Sequence, residues 1–200
     1  MEGKLILASG SPRRRELLGQ IGAAFEVITS AAEEVKTAAS PRELVLENAR
    51  RKALAVARKC PGRAVLGADT VVALAGNIYG KPQDEADARR MLHDFSGRTH
   101  EVLTGLALVR ADGELFSAAE ATEVAFAKLD DEEIRRYVET GEPMDKAGGY
   151  AVQGRAAVFI KGIRGSYSNV VGLPLHLLAE LARKARVDLY GHHGAGSPRG

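Results

Sequence analysis

A mixed α/β fold, with a twisted sheet bent around a central cleft and helices packed against it, follows from three observations. Short apolar runs with strand character intermix with capped helical segments along the chain. Two pairs of apolar runs meet at tight turns, Gly76-Asn77 and Asp112-Gly113, and hairpins of this kind rule out an all-parallel sheet. Hydrophobic residues make up 45% of the 200 positions, enough for a sizeable core in one domain.

Leu5 to Ala8 is a strand that enters Ser9-Gly10-Ser11, and Pro12, at a first helical position, opens a helix through Arg15, Leu17 and Leu18. Phe25 to Ile28 is a second strand, followed by a polar stretch that holds Glu33. Ser40-Pro41-Arg42-Glu43 reads as a capping box with proline at N1, starting a helix to about Lys59 that Pro61-Gly62 ends. The strand from Ala64 to Ala73 follows, and the Gly76-Asn77 turn returns the chain through Ile78-Tyr79 to Lys81. Asp84 caps a helix to Phe95 with Ser96-Gly97 as its stop. Two long strands, Thr99 to Val109 and Leu115 to Phe126, come next, and Asp130 to Glu133 opens a helix that ends at Gly141. Val158 to Ile163 is expected as a strand, residues 165–169 as a polar loop, and the last helix starts near Pro174. Residues 1–190 are thus read as one domain and residues 191–200, which lack apolar periodicity, as a disordered tail.

Composition excludes several functions. Lys and Arg number 28 against 26 Asp and Glu, so the net charge of +2 provides no global field for nucleic acid or membrane binding. The single cysteine, Cys60, excludes an internal disulfide and cysteine-based zinc clusters, and it suits a reducing compartment. No apolar run approaches the roughly 18 residues of a membrane span, and no leader pattern opens the sequence. A cytoplasmic protein is expected.

Within the strand from Ala64 to Ala73 only Asp69 and Thr70 are polar. An ionised carboxylate among valines and leucines needs a cation, a metal or hydrogen-bond donors to offset its desolvation. Ser9-Gly10-Ser11 at a helix amino terminus, with Arg13, Arg14 and Arg15 in the first turn, is suited to an anion, most simply a polyphosphate. It lacks the Gly-Lys-Ser/Thr ending of a P-loop. Lys52 stands on the apolar stripe of Val45, Ala49 and Val56, either snorkelling or directing its ammonium into a cleft. Lys81 is stiffened between Gly80 and Pro82.

Taken together, these segments resemble the Maf family of nucleoside triphosphate pyrophosphatases across residues 4–185. The resemblance is carried by residues 7–14 with Glu16-Leu17-Leu18, by Gly67-Ala68-Asp69-Thr70-Val71-Val72, by Gly80-Lys81-Pro82, by Met91-Leu92, Ser96-Gly97 and Thr104-Gly105, by Asp145-Lys146-Ala147-Gly148-Gly149-Tyr150 with Gln153-Gly154, and by Gly172-Leu173-Pro174. Their order and spacing agree as well. It implies a mixed sheet similar to that of inosine triphosphate pyrophosphatases, a homodimer, and hydrolysis between the α and β phosphates with a divalent cation, Mg²⁺ or Mn²⁺. The stretch from Asp145 to Gly154 resembles the branch acting on dTTP and UTP. The roles implied are Asp69 as proton acceptor; Ser9, Arg13, Lys52 and Lys81 around the phosphates; Glu33 with Asp69 at the metal; and Arg13, Thr70 and Gln153 in substrate choice. Lys146 and Arg14 add positive charge for the phosphates. Gln153 carries both a donor and an acceptor, which suits the edge of a uracil or thymine base. Two other readings stand beside this one: the same reaction on another base such as 7-methyl-GTP, and a non-catalytic nucleotide-binding regulator of septum formation.

Overall fold

The computed structural model describes residues 4–190, and the expected tail at residues 191–200 lies outside them. Seven strands form one mixed sheet in the order β2-β1-β3-β5-β6-β7, with β4 pairing β3 beside β1. The strands are β1 (Leu5–Leu7), β2 (Phe25–Val27), β3 (Val65–Leu74), β4 (Asn77–Tyr79), β5 (Thr99–Val109), β6 (Leu115–Phe126) and β7 (Ile160–Arg164). β1 runs parallel to β2 and β3, whereas β3, β5, β6 and β7 are successively antiparallel. The helices are α1 (Pro12–Gln20), α2 (Pro41–Ala57), α3 (Glu85–Phe95), α4 (Asp131–Glu139), α5 (Tyr167–Val171) and α6 (Leu175–Ala185). Among the described residues no helix is long and apolar enough to cross a membrane.

Most elements form where the local chemistry calls for them. Pro41 follows the cap of α2, and the Ser40 hydroxyl accepts from the Glu43 N–H at 3.1 Å, although only α4 shows both halves of a capping box, between Asp130 and Glu133. Three expectations are corrected. Residues 167–169 of the expected loop belong to α5, because the Ser166 hydroxyl caps the Asn169 N–H at 3.2 Å and Asn169 is fully buried against the sheet. The strand expected from Val158 begins at Ile160, since Arg155–Phe159 winds into a 3-10 turn. Helix α2 ends at Ala57, two residues short of Lys59.

Strand alternation sorts β3 and β5 into two faces. Val65, Val71 and Ala73 face α2 together with Leu103, Ala107 and Val109 of β5. The opposite face holds two separate cores. Leu66, Ala68, Leu106 and Leu108 pack against α1 and α6, while Val72, Leu74 and Val102 pack against α3 and α4. Between these cores lies the facing pair Thr70 and Thr104. The division of the second face into two apolar masses with a polar pair between them is what makes a cleft.

Helix α2 approaches the sheet so closely that two strand positions need to be glycine. A Cβ on Gly67 would stand 2.3 Å from the Ala49 carbonyl oxygen, and one on Gly105 would stand 2.4 Å from that of Val45. Gly105 lies directly across from Asp69, so the helix comes down over the carboxylate.

Candidate active site

A gap in the sheet organises the site. On one edge β3 pairs with β1 at Val65 and Leu66 and with β4 from Val72 onward, so residues 67–71 have a strand neighbour only in β5. The chain leaves β1 into the Ser9 loop and leaves β4 into Gly80-Lys81-Pro82, and both segments therefore flank the gap. Asp69 and Thr70 occupy its middle and point to opposite faces. The missing neighbour strand lets both faces be reached from one opening.

Asp69 is 7% exposed and lies beneath α2. Its Oδ1 accepts from Lys52 Nζ at 2.7 Å and its Oδ2 from Asn48 Nδ2 at 3.1 Å. Asn48 and Lys52 are one helical turn apart and share a face, so one rigid helix holds both carboxylate oxygens. Asn48 also grips the irregular segment before α2: it accepts from the Val35 N–H at 2.9 Å and donates to the Val35 carbonyl at 3.1 Å. This clamp brings the neighbouring Glu34 to Lys52 Nζ, at 2.6 Å. Glu33 and Glu34 are both exposed, and it is the Glu34 carboxylate that reaches Lys52. Burial raises the Glu34 pKa, but the Lys52 hydrogen bond, with the charges of Lys52, Lys81 and Arg14, brings it below the usual glutamate value.

On the other face Arg14 is the organising cation. Its Nη2 donates to Thr70 Oγ1 at 3.0 Å, its Nη1 to Ser9 Oγ at 2.9 Å, and its Nε to the Gly172 carbonyl at 2.9 Å. Burial lowers the Arg14 pKa, and the charge of Asp69 opposes that shift. The Ser9 hydroxyl accepts from Arg14 and from the Ser11 N–H at 3.3 Å, which leaves its own proton for a further acceptor. Thr70 also shares a 2.9 Å hydrogen bond with the fully buried Thr104.

The remaining expected residues stand around this cluster. Arg13 is half-buried, and its charge acts on Arg14 and on Asp145 across the cleft. Lys81 is exposed and its charge acts on Glu34. Lys146 Nζ donates to the Glu142 carbonyl at 3.3 Å and pairs with the Asp145 carboxylate. Its segment is tied to that of Lys81 through the Gly148 N–H, which donates to the Gly80 carbonyl at 2.8 Å. Gly148 has φ +72°, and a Cβ there would meet Val72 at 2.8 Å, so this close approach depends on glycine. Gln153 is exposed on the same segment. The structure thus gathers the predicted residues into two bonded groups on opposite faces of β3, Lys52 with Asp69 and Arg14 with Ser9 and Thr70, with Arg13, Lys81 and Lys146 as further charges around them.

Sequence reasoning gave no site role to Asn48, Glu34 or Thr104. Asn48 carried a signal, being a polar residue beside Val45 and Ala49 and one turn before Lys52. Glu34 carried none that would separate it from Glu33.

The sequence profile of the Maf-like protein family matches residues 4–185. The chain belongs to this family. Two curated relatives, both named dTTP/UTP pyrophosphatase, agree with it over nearly their whole length. That of Symbiobacterium thermophilum is 56% identical over 179 residues, 89% of this chain and 92% of the relative. That of Anaeromyxobacter dehalogenans strain 2CP-C is 54% identical, covering 94% of this chain and 97% of the relative. Among solved structures, the Ham1 protein of Staphylococcus aureus aligns with TM-score 0.54 at 16% identity, over 90% of this chain and 98% of that one. A HAM1 protein from Coxiella burnetii aligns with TM-score 0.52 at 16% identity, over 92% of this chain and the whole of that one. At such identity the likeness shows that this Maf-like chain shares their mixed α/β fold.

Proposed function

We propose that this chain hydrolyses dTTP and UTP to the monophosphate and pyrophosphate, with Asp69 accepting the proton of the attacking water. The observation that carries the reading is the Lys52 and Asn48 grip on Asp69 in a sheet gap flanked by the Ser9 loop and Lys81. The names of the relatives support the substrate class. Water oxygen bonds to the α-phosphorus as the bond from that phosphorus to the bridging oxygen breaks; the proton goes to Asp69, and pyrophosphate leaves with the electron pair. Charge growing on the phosphate oxygens is offset by Arg13, Arg14, Lys52, Lys81 and Lys146, and the Ser9 proton supplies a donor.

The donor set also suits a hard divalent cation, Mg²⁺ or Mn²⁺. Asp69 and Glu34 converge on one ammonium, and both offer carboxylate oxygens. Among the described residues no group of three or more His, Cys, Asp or Glu side chains could hold a metal, so phosphate and water oxygens would complete the shell. Such a cation would lower the charge of the phosphates. Gln153 and Thr70 are read as the groups that choose the base.

Pyrophosphate release from dTTP, UTP, CTP, ATP, GTP and 7-methyl-GTP tests the proposal. dTTP and UTP should react at comparable rates and the rest much more slowly, because a wrong base leaves the hydrogen-bonding groups that face it unpaired. A preference for 7-methyl-GTP would overturn the base reading alone. Tight binding without turnover would replace the enzyme with a nucleotide-binding regulator.

A further inference from the structure

Glu142 plays no part in the chemistry above, yet its side chain is among the most constrained near the cleft. It opens the 3-10 turn Glu142–Asp145, just after α4. Its Oε1 accepts from the Tyr137 hydroxyl at 3.0 Å and from the Arg155 N–H at 3.0 Å, and its Oε2 takes the same N–H at 3.2 Å. Tyr137 is 4% exposed and belongs to the apolar core against α3 and α4. The carboxylate is thus fastened to the core on one side and to the backbone just beyond Gln153 on the other.

Gly154 makes room for this arrangement. A Cβ there would stand 2.2 Å from Glu142 Oε1 and 2.6 Å from Cδ. Its φ of −115° is open to any residue, so a side chain at this position would be opposed by the carboxylate, which it would displace, rather than by the backbone. The main chain of Glu142 does a second job, since its carbonyl accepts from Lys146 Nζ at 3.3 Å. One residue therefore fixes both ends of the segment from Lys146 to Arg155.

We propose that Glu142 is a positioning residue for base selection, its carboxylate fixing the turn that presents Gln153. The inference rests on the reading of Gln153 as a base-facing group. Gln153 is exposed, so its side chain gains little placement from packing, and its accuracy depends on the backbone that carries it. Discrimination by hydrogen bonds is sensitive to such placement, and Glu142 touches no substrate itself.

The test uses Glu142→Ala, Glu142→Gln and Gly154→Ala in the full-length protein. Two readouts are taken: kcat and KM for dTTP, UTP and CTP, and hydrogen exchange at the Arg155 amide. Glu142→Ala and Gly154→Ala, which break the contact from opposite sides, should lower the dTTP-over-CTP ratio of kcat/KM about tenfold or more. The loss should come from a raised KM for dTTP and UTP, with kcat little changed, and the Arg155 amide should exchange faster. Glu142→Gln keeps an oxygen that can accept from Tyr137 and Arg155, so it should restore most of the ratio. Unchanged exchange in both disrupting variants, an unchanged ratio, or an equal loss on all three nucleotides would each overturn the proposal. If Glu142→Ala does not fold, Gly154→Ala decides, since it leaves the Tyr137 partner in place. A wild-type protein without base preference would overturn the base reading and this proposal with it, whereas a preference that survives both variants overturns this proposal alone.

Discussion

The Asn48 amide donates to Asp69 Oδ2 at 3.1 Å while holding both polar groups of the Val35 backbone, so one side chain aims the carboxylate and anchors the segment that brings in Glu34. Lys52, one turn later, takes Asp69 Oδ1 and Glu34 together. Helix α2 is thereby the template of the acidic half of the site, and its seating on Gly67 and Gly105 sets how near the two side chains come.

Asp69→Asn should lower kcat by about a hundredfold to ten-thousandfold, the range for loss of a general base. Calorimetric binding of a non-hydrolysable triphosphate should stay measurable, because the change removes a group needed most in the transition state. A variant that retained most of its rate would remove Asp69 from the mechanism.

Asn48→Ala should cost about 1–3 kcal/mol of stability, since it strips partners from the partly buried Val35 backbone and the buried Asp69 carboxylate. Asn48→Asp has nearly the same shape but sets a second carboxylate against Asp69, so the acidic limb of the pH–rate profile should move upward. Chemical denaturation and kcat/KM against pH check the two parts.

Arg13→Ala and Lys81→Ala should each cost kcat/KM about 1.5–3 kcal/mol, the scale of a hydrogen bond to a charged group, with little change in melting temperature. Arg14→Ala should cost stability as well as rate, because Ser9, Thr70 and the Gly172 carbonyl all lose a donor. Lys59, exposed just beyond the end of α2, is the control, and Lys59→Ala should behave as wild type.

Gly105→Ala should destabilise the fold by about 1–3 kcal/mol and lower kcat, since a Cβ 2.4 Å from the Val45 carbonyl must push α2 away from Asp69. Gly162→Ala in β7 meets nothing within 4 Å and serves as the comparison. Equal melting temperatures for the two would contradict the close seating of the helix.

His100 makes stability depend on pH. It is 1% exposed among Phe95, Phe126 and Tyr150, its Nε2 lies 2.8 Å from the Tyr150 hydroxyl, and burial lowers its pKa from 6.5 to about 4. Between these values the unfolded chain binds more protons than the folded one, so stability falls as pH drops from 6.5 toward 4, by on the order of 3 kcal/mol. Glu120, whose pKa burial raises above 4.5, works in the opposite direction in the lower part of that window. Thermal melts of wild type and His100→Phe across pH 4.5–6.5 should show the steeper loss in the wild type.

Much of this molecule could be read from local sequence. Both ends of β5 and the start of β6 fall where the turn at Asp112-Gly113 and the stop at Ser96-Gly97 put them, because turn chemistry and apolar runs act within a few residues. The caps at Asp84 and Asp130 are local in the same way. Asp69 and Thr70 stood out for a related reason: both faces of β3 are buried, so its sequence is apolar throughout and two polar residues are conspicuous.

Tertiary structure decided what those two residues share. Alternation turns them to opposite faces, and the gap they share opens only because β1, far away in sequence, pairs with the first residues of β3 and ends before the local β4 hairpin begins. That Glu34 reaches Lys52 follows from the Asn48 clamp on Val35, in a segment with no regular period to say which carboxylate meets the lysine. Which of three consecutive arginines bonds Ser9, Thr70 and Gly172 depended likewise on where α1 rests against α5, since a run of like side chains along a helix contains every direction and only packing selects one.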